Sequence, residues 1–191
     1  VTWANVTSGG NAPIYDPGQL FVTTIFRQQQ TDSYCEPDQV IYTNSVFVTV
    51  DDALIAGTAT ANQTICFGET PASISATIPS GGSGTYTYQW EYSTDGGTTW
   101  NNVTTGGNTI THNPGQLYIT TSFRLRQTDE YCSPDQVVIT NVVTITVYNA
   151  LTAGTAGTDQ LICHGQIPLP LNATSPGNGS GQFNYQWQFS T

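Results

Sequence analysis

Apolar and polar residues alternate over several short segments of this chain. The clearest alternation covers residues 85–93, where every second side chain is aromatic: Tyr86, Tyr88, Trp90 and Tyr92. A period of two predicts a β-strand that presents these side chains on one face. The Asp-Gly-Gly segment at 95–97 predicts a tight turn, because Asp-Gly and Gly-Gly accept the positive φ that such turns require. A second strand is predicted to begin near Thr99.

Three further segments show strand alternation, at residues 73–78, 116–127 and 142–147. The last of them predicts a final strand with one apolar face. The first segment places Ile74, Ala76 and Ile78 on one strand face, and the second places Ile119, Thr121, Phe123 and Leu125 on one strand face. No segment has a sustained 3.6-residue apolar spacing, so helix content near zero is predicted. The side chains expected in the core are Trp90, Trp187, Tyr88, Phe123, Val143, Ile145 and Val147.

The pattern repeats after 97 residues without an insertion or a deletion. Trp3 corresponds to Trp100, the Ala-Gly-Thr segment at 56–58 recurs at 153–155, and Tyr-Gln-Trp at 88–90 recurs at 185–187. A constant offset indicates a tandem array of one module. We therefore divide the chain into three parts: the C-terminal part of one repeat (1–52), a complete repeat (53–149) and the N-terminal part of the next repeat (150–191).

The repeat has the size and turn composition of a β-sandwich domain. About seven short strands separated by Gly, Pro and Asn turns predict an all-β, immunoglobulin-like Greek-key sandwich. Trp90 lies in mid-strand, about 24 residues after Cys66 and 42 before Cys132, and resembles the buried Trp of such sandwiches. The joining segments near 50–54 and 147–151 lack the Gly/Ser or Pro tract of a flexible linker. Consecutive modules are expected to sit end to end as a semi-rigid rod.

Composition narrows the range of partners. Charged residues make up 8% of the chain, and Arg27, Arg124 and Arg126 face 13 carboxylates, for a formal net charge of −10. This charge repels phosphate backbones and anionic headgroups, so no nucleic-acid partner is expected. No run approaches the roughly 18 apolar residues of a membrane span, so this segment is not expected to insert in a membrane.

The four cysteines occur two per repeat, without Cys-x-x-Cys or a His at metal-ligand spacing. This pattern favours disulfides in an oxidising compartment over zinc. In the pairing we favour, Cys66 and Cys132 close a loop worth about 4 kcal/mol within the complete repeat, and Cys35 and Cys163 pair outside the chain. In the alternative, Cys35 pairs with Cys66 and Cys132 with Cys163. A geometric objection to the first pairing is that Cys66 ends an early strand whereas Cys132 follows a late one.

Several short motifs, in order and with constant spacing, resemble the repeats of giant cell-surface adhesins of Bacteroidota, a class that includes gliding-motility adhesins. They are the segments 63–68, 86–90, 93–96, 113–115, 123–124 and 141–147. The resemblance implies a very long secreted filament, exported by the type IX system and anchored at the outer membrane. It further implies an extracellular location, contacts with neighbouring repeats of the same chain, and adhesion to surfaces or polysaccharide.

The two histidines are weak candidates for catalytic residues. His112 and His164 correspond to Tyr15 and Phe67 in the other copies, and a catalytic group is not expected to be lost between copies. No Gly-x-Ser-x-Gly motif is present. We expect no catalytic residues and no enzyme activity.

The candidate binding residues are two. Asp51 and Asp52 at one repeat boundary are weak calcium candidates, because clustered carboxylates bind this ion; the next boundary carries Tyr148 and Asn149 instead. No metal or other cofactor is therefore expected, with calcium as the alternative. Trp3 and Trp100 are possible ligand-binding residues, since exposed aromatic rings can stack on sugars. Surface polysaccharide is accordingly the alternative partner.

Overall fold

The computed structural model describes residues 2–34 and 36–191; Val1 and Cys35 lie outside the described residues. The described part contains β-strands and no helix. It divides into two compact units, one made of residues 1–53 and 81–83 and the other of residues 54–80 and 84–191.

The first unit contains four short strands in two antiparallel pairs. Strand β1 (Thr24–Phe26) pairs with β4 (Val46–Val48), and β2 (Gln29–Asp32) pairs with β3 (Gln39–Tyr42). Every side chain of β2 and β3 is exposed.

The second unit is built around a six-stranded sheet. Its strands are β5 (Gln63–Ile65), β7 (Thr87–Ser93), β8 (Asn101–Asn102), β10 (Thr121–Asp129), β11 (Gln136–Ile139) and β12 (Val143–Val147). The order is β5-β12-β10-β7-β8, with β11 paired to the second half of β10. Strands β5 and β12 are parallel, and the other pairs are antiparallel. A separate antiparallel pair joins β6 (Ile74–Ser75) to β9 (Thr111–His112).

The core lies between the large sheet and the segments around β6. One cluster of buried side chains contains Trp90, Phe123, Leu125, Val143 and Ile145 from the sheet together with Ala59, Ile74 and Ala76. Along β12 the apolar positions are buried while Thr144 and Thr146 are not, as a strand with one inward face requires. An all-β architecture of several sheets around one core is consistent with a β-sandwich.

Most of the predicted core of the complete repeat is confirmed. Trp90, Phe123, Val143, Ile145 and Val147 are buried, and Tyr88 packs half-buried against the cluster.

The prediction for Trp187 is wrong, because 55% of this residue is exposed. Trp90 is covered by β10 and β12, and the chain from 150 to 191 contains no copy of those strands.

Two predicted strand faces are shorter than the alternation indicates. Strand β10 begins at Thr121, and Ile119 before it is exposed. There the backbone bonds to the turn after β5 instead: the Leu117 N–H donates to the Glu69 carbonyl at 3.0 Å. Similarly, β6 ends at Ser75, and Ile78 is exposed.

The 97-residue offset is visible in individual hydrogen bonds. The Thr58 N–H donates to Thr77 Oγ1 at 2.8 Å, and the Thr155 N–H donates to Thr174 Oγ1 at the same distance. Equivalent residues of the complete repeat and of residues 150–191 therefore have the same local structure, although no residue of the second segment is buried.

Candidate functional site

The first and last strands of the complete repeat lie side by side and run in the same direction. In the register of this pair, Gln63 is opposite Ile145 and Ile65 is opposite Val147. The chain thus reaches β5 from one end of the sheet and leaves β12 at the other. We call this pair of strands, with the side chains that bridge it, the terminal seam.

Side chains reinforce the terminal seam before and along the paired strands. The Thr144 N–H donates to Asn62 Oδ1 at 2.8 Å. The Ala59 N–H donates to Asn141 Oδ1 at 2.7 Å, and Asn141 Nδ2 donates back to the Ala59 carbonyl at 3.3 Å. Each contact joins residues 82 positions apart. The seam therefore closes the repeat from its first residues to its last.

A buried glutamine forms a second link between early and late residues of the repeat. Gln127 is fully buried; its Oε1 accepts from the Gly57 N–H at 2.8 Å, and its Nε2 donates to the Thr77 carbonyl at 2.9 Å. A Cβ on residue 57 would collide with that carbonyl oxygen. The close approach of the Thr77 backbone therefore explains the glycine of the recurring Ala-Gly-Thr motif. Sequence reasoning did not identify Gln127, although its copy Gln30 stands at the same repeat position.

An arginine side chain stacks on the ring of each of the two tryptophans predicted to bind ligand. The Arg124 Cζ lies 4.1 Å from the Trp100 ring centroid, and the Arg27 Cζ lies 4.1 Å from that of Trp3. Arg124 also forms an ion pair with Glu91, with 2.6 Å between Nε and Oε2. Since the guanidinium covers one face of each ring, the contact itself is a cation–π interaction that stabilises the fold.

The turn before Trp100 is held by one carboxylate. Hydrogen bonds from the Thr99 hydroxyl, the Thr99 N–H and the Ser93 hydroxyl hold the pKa of Asp95 well below its usual range. Gly96 and Gly97 both have positive φ, which confirms the turn predicted there. The Trp100 Nε1–H donates to the Gly97 carbonyl at 3.0 Å, so the turn also positions the ring.

His112 lies inside the fold beside an open groove of about 640 Å³. Its ring centroid is 6.4 Å from Trp90 and 5.9 Å from Phe123. Burial lowers its pKa, against a smaller opposing effect of the Gly106 carbonyl 3.3 Å from Nδ1. The groove residues include no carboxylate and no cysteine beside this imidazole. The His112 ring thus packs beside Trp90 and Phe123, while His164 is exposed.

Cys66, Cys132 and Cys163 are all free, so neither predicted pairing is formed among the described cysteines; the predictions for Cys35 fall outside the described residues. Cys66 follows β5, beside the end of β12 and the start of β10, whereas Cys132 follows the far end of β10. The strand between them spans roughly 27 Å at about 3.3 Å per residue. A disulfide needs Cα atoms within about 7 Å, so the geometric objection to the Cys66–Cys132 bridge is upheld.

Asp51 and Asp52 are exposed. Within residues 2–34 and 36–191, no group of three or more His, Cys, Asp or Glu side chains is arranged to hold a metal ion. Across the same ranges, the structure has no helical segment with the length and hydropathy of a membrane span.

Residues 55–149 match the model of a family described as "Domain of unknown function (DUF8696)". The matched range lies inside the complete repeat at 53–149. No curated protein and no solved structure matches the chain.

Proposed function

We propose that this chain is a non-catalytic structural segment of a long extracellular filament, in which immunoglobulin-like Greek-key modules follow one another end to end. The filament is a surface adhesin of the kind used in gliding motility by Bacteroidota, exported by the type IX system. It is anchored at the outer membrane through parts of the protein outside this segment. The 97-residue repeat, the all-β fold and the motif resemblance support this proposal.

The terminal seam is the observation that carries the mechanical role. When a module is stretched between its ends, tension pulls β5 and β12 in opposite directions along their common axis, because the two strands are parallel. All the hydrogen bonds between the two strands then oppose this sliding at the same time. In a pair of strands that is pulled apart from one end, the bonds break one at a time. A module closed in this way is suited to transmitting load.

The proposal does not require covalent bridges within the repeat. The cysteines of the complete repeat lie apart, so load is carried by strand hydrogen bonds and by the side-chain hydrogen bonds of Asn141 and Gln127. Its partners are the neighbouring repeats of the same chain. No cofactor is proposed; calcium at Asp51 and Asp52 is the alternative.

Single-molecule stretching of the chain between its ends tests this role. Asn62→Ala removes the acceptor of the Thr144 N–H, and Tyr148→Pro removes the N–H that donates to the Ile65 carbonyl at 3.0 Å. We expect the double variant to lose a larger share of its unfolding force than of its free energy of unfolding.

The matched control breaks a hydrogen bond of β10 and leaves the bonds between β5 and β12 in place. Thr140→Val removes the buried bond that the Leu125 N–H donates to Thr140 Oγ1 at 3.0 Å. This variant is expected to lose stability while its unfolding force changes less than that of the seam variant. Equal loss of force in both would show that the seam does not bear the load.

The alternative function is a polysaccharide-binding module that uses Trp3 and Trp100. The arginine on each ring does not favour it. On an array of surface polysaccharides we expect no specific binding by the chain. Binding that disappears in Trp100→Ala but persists in Tyr131→Ala, at an aromatic side chain that is 80% exposed, would favour the alternative instead.

A further inference from the structure

The segment that joins the complete repeat to the next one is short, and hydrogen bonds hold it on both sides. On one side, the Tyr148 N–H donates to the Ile65 carbonyl at 3.0 Å, which ties the segment to the end of β5. On the other side, the Asn149 carbonyl accepts from the Gly179 N–H at 3.1 Å. Gly179 lies in a loop of the next repeat, at residues 177–181. Two consecutive residues therefore bind the two repeats that they connect.

This arrangement leaves the connection little freedom to rotate. Each residue of a polypeptide contributes two soft backbone torsions, φ and ψ. Only the torsions of Tyr148 and Asn149 separate the hydrogen bond to one repeat from the hydrogen bond to the other. While both bonds hold, these two residues fix the direction in which the next repeat leaves the complete repeat.

The same hydrogen bond is present at the preceding repeat boundary. There the Gly82 N–H donates to the Asp52 carbonyl at 2.7 Å. Residues 82 and 52 are the equivalents of 179 and 149 under the 97-residue offset. Both belong to the first compact unit, which contains residues 81–83 in addition to 1–53. A bond between equivalent atoms at two boundaries is a feature of the repeat and not of one local sequence.

The loop that donates this bond has the same backbone shape in both copies. Three of its positions have positive φ in each copy, with closely similar angles. They are Gly81 (75°) and Asn178 (61°), Gly82 (62°) and Gly179 (64°), and Gly84 (85°) and Gly181 (83°). Where the second copy lacks a glycine it has asparagine, the residue that adopts positive φ most readily after glycine. The shared shape points the central N–H of the loop at the carbonyl of the joining segment.

A backbone bridge fixes the loop to its own repeat. Thr152 and Gly177 exchange two hydrogen bonds, of 3.0 and 2.9 Å. Their equivalents in the complete repeat, Ile55 and Ser80, exchange two bonds of 2.8 and 3.0 Å. Because this bridge comes directly before the loop, the loop cannot stay with the joining segment while the start of its repeat turns away.

We propose that the loop at 177–181 is an orienting joint, which fixes the direction of a repeat relative to the repeat before it through backbone hydrogen bonds. An orienting joint of this kind rests on the tandem array of the proposed function and adds how the array keeps its direction. Flexible joints would let a filament bend at every boundary, whereas fixed joints make it a semi-rigid spacer.

The joint does not depend on the side chains of the joining segment. The acceptor is a main-chain carbonyl, and it accepts the same bond from an Asp at position 52 and from an Asn at position 149. A joint that used the carboxylates of Asp51 and Asp52 to bind calcium would lose its ligands at the next boundary, which has Tyr148 and Asn149. The backbone joint therefore forms without a metal ion.

Nuclear magnetic relaxation of the backbone amides of the 191-residue chain tests the joint. Order parameters of about 0.85 mark a rigid backbone on the ps–ns timescale, and values below about 0.6 mark a flexible one. We expect residues 149–156 to be as rigid as β12. Gly179→Pro removes the N–H that binds the Asn149 carbonyl, and it should lower the order parameters of residues 149–156 to below about 0.6.

Gly181→Pro is the matched control. Gly181 also has positive φ, so a proline, whose φ is near −65°, distorts the same loop in both variants. Within residues 2–34 and 36–191 the Gly181 N–H donates no hydrogen bond to the joining segment. Gly181→Pro should therefore leave the order parameters of residues 149–156 unchanged. Both glycines lie outside the complete repeat, so its free energy of unfolding should be the same in the two variants and in the original chain.

Three results would overturn the orienting joint. They are flexible residues 149–156 in the original chain, no loss of order in Gly179→Pro, and an equal loss in both proline variants. Addition of the chelator EDTA should not change the order parameters, and a loss on chelation would show that the joint requires a metal ion. The outcome is separate from that of the stretching experiment, because the terminal seam can fail to bear load while the joint stays rigid, and the reverse.

Discussion

Trp90→Ala is expected to lower the free energy of unfolding of the complete repeat by about 3–5 kcal/mol. Trp90 is fully buried at the centre of the core, and within the described residues its Nε1 has no hydrogen-bond partner. Its contribution therefore comes from packing against residues such as Leu125 and Val143. Since small domains are stable by about 5–15 kcal/mol, this single change removes a large part of the total.

The same substitution at the next repeat position is the control. Trp187→Ala should change the free energy of unfolding by no more than about 0.5 kcal/mol, as for an ordinary surface site. Denaturant unfolding followed by fluorescence measures both values. Similar losses at Trp90 and Trp187 would show that the second tryptophan is also packed in the single chain.

Gln127→Leu is expected to destabilise the complete repeat by roughly 2–4 kcal/mol. The substitution keeps a side chain of similar size but leaves the Gly57 N–H and the Thr77 carbonyl without their partner. A buried polar group left unpaired costs about 1–3 kcal/mol. Hydrogen exchange of the Gly57 amide should accelerate in the variant, which ties the loss of stability to this bond.

Gln30→Leu is the control for that change. Gln30 stands at the same repeat position but is exposed, so its replacement should leave the free energy of unfolding within about 0.5 kcal/mol of the original. If the Gln127→Leu variant were as stable as the original chain, with unchanged hydrogen exchange at the Gly57 amide, then the Gln127 side chain would not hold the early and late parts of the repeat together.

The local pattern predicted β7 and β12 well, because alternation over five to nine residues is a property of neighbouring positions. The prediction was less accurate where the backbone hydrogen-bond partners decide whether a segment forms a strand. The alternation continues through Ile119 and Ile78, yet neither lies in a strand, since the chain there bonds to turns and isolated bridges. Trp187 has the motif of a core residue, but burial also requires the strands that cover it.

The candidate sites show the same division. The sequence marked Trp3 and Trp100 as aromatic positions that recur, but not that Arg27 and Arg124 stack on them, because nothing in the spacing of 24 residues indicates a contact. It indicated two cysteines per repeat without showing that the strand order separates Cys66 from Cys132.

The sequence alone determined that the chain is an acidic, repeating β protein, since self-similarity, alternation and charge are all readable along one dimension. The tertiary structure decided which strands become neighbours. It placed β5 parallel to β12, buried Gln127 between Gly57 and Thr77, and kept the cysteines apart. These outcomes depend on contacts between residues 50 or more positions apart in the chain. Such contacts follow from the packing of the whole core and not from any local pattern.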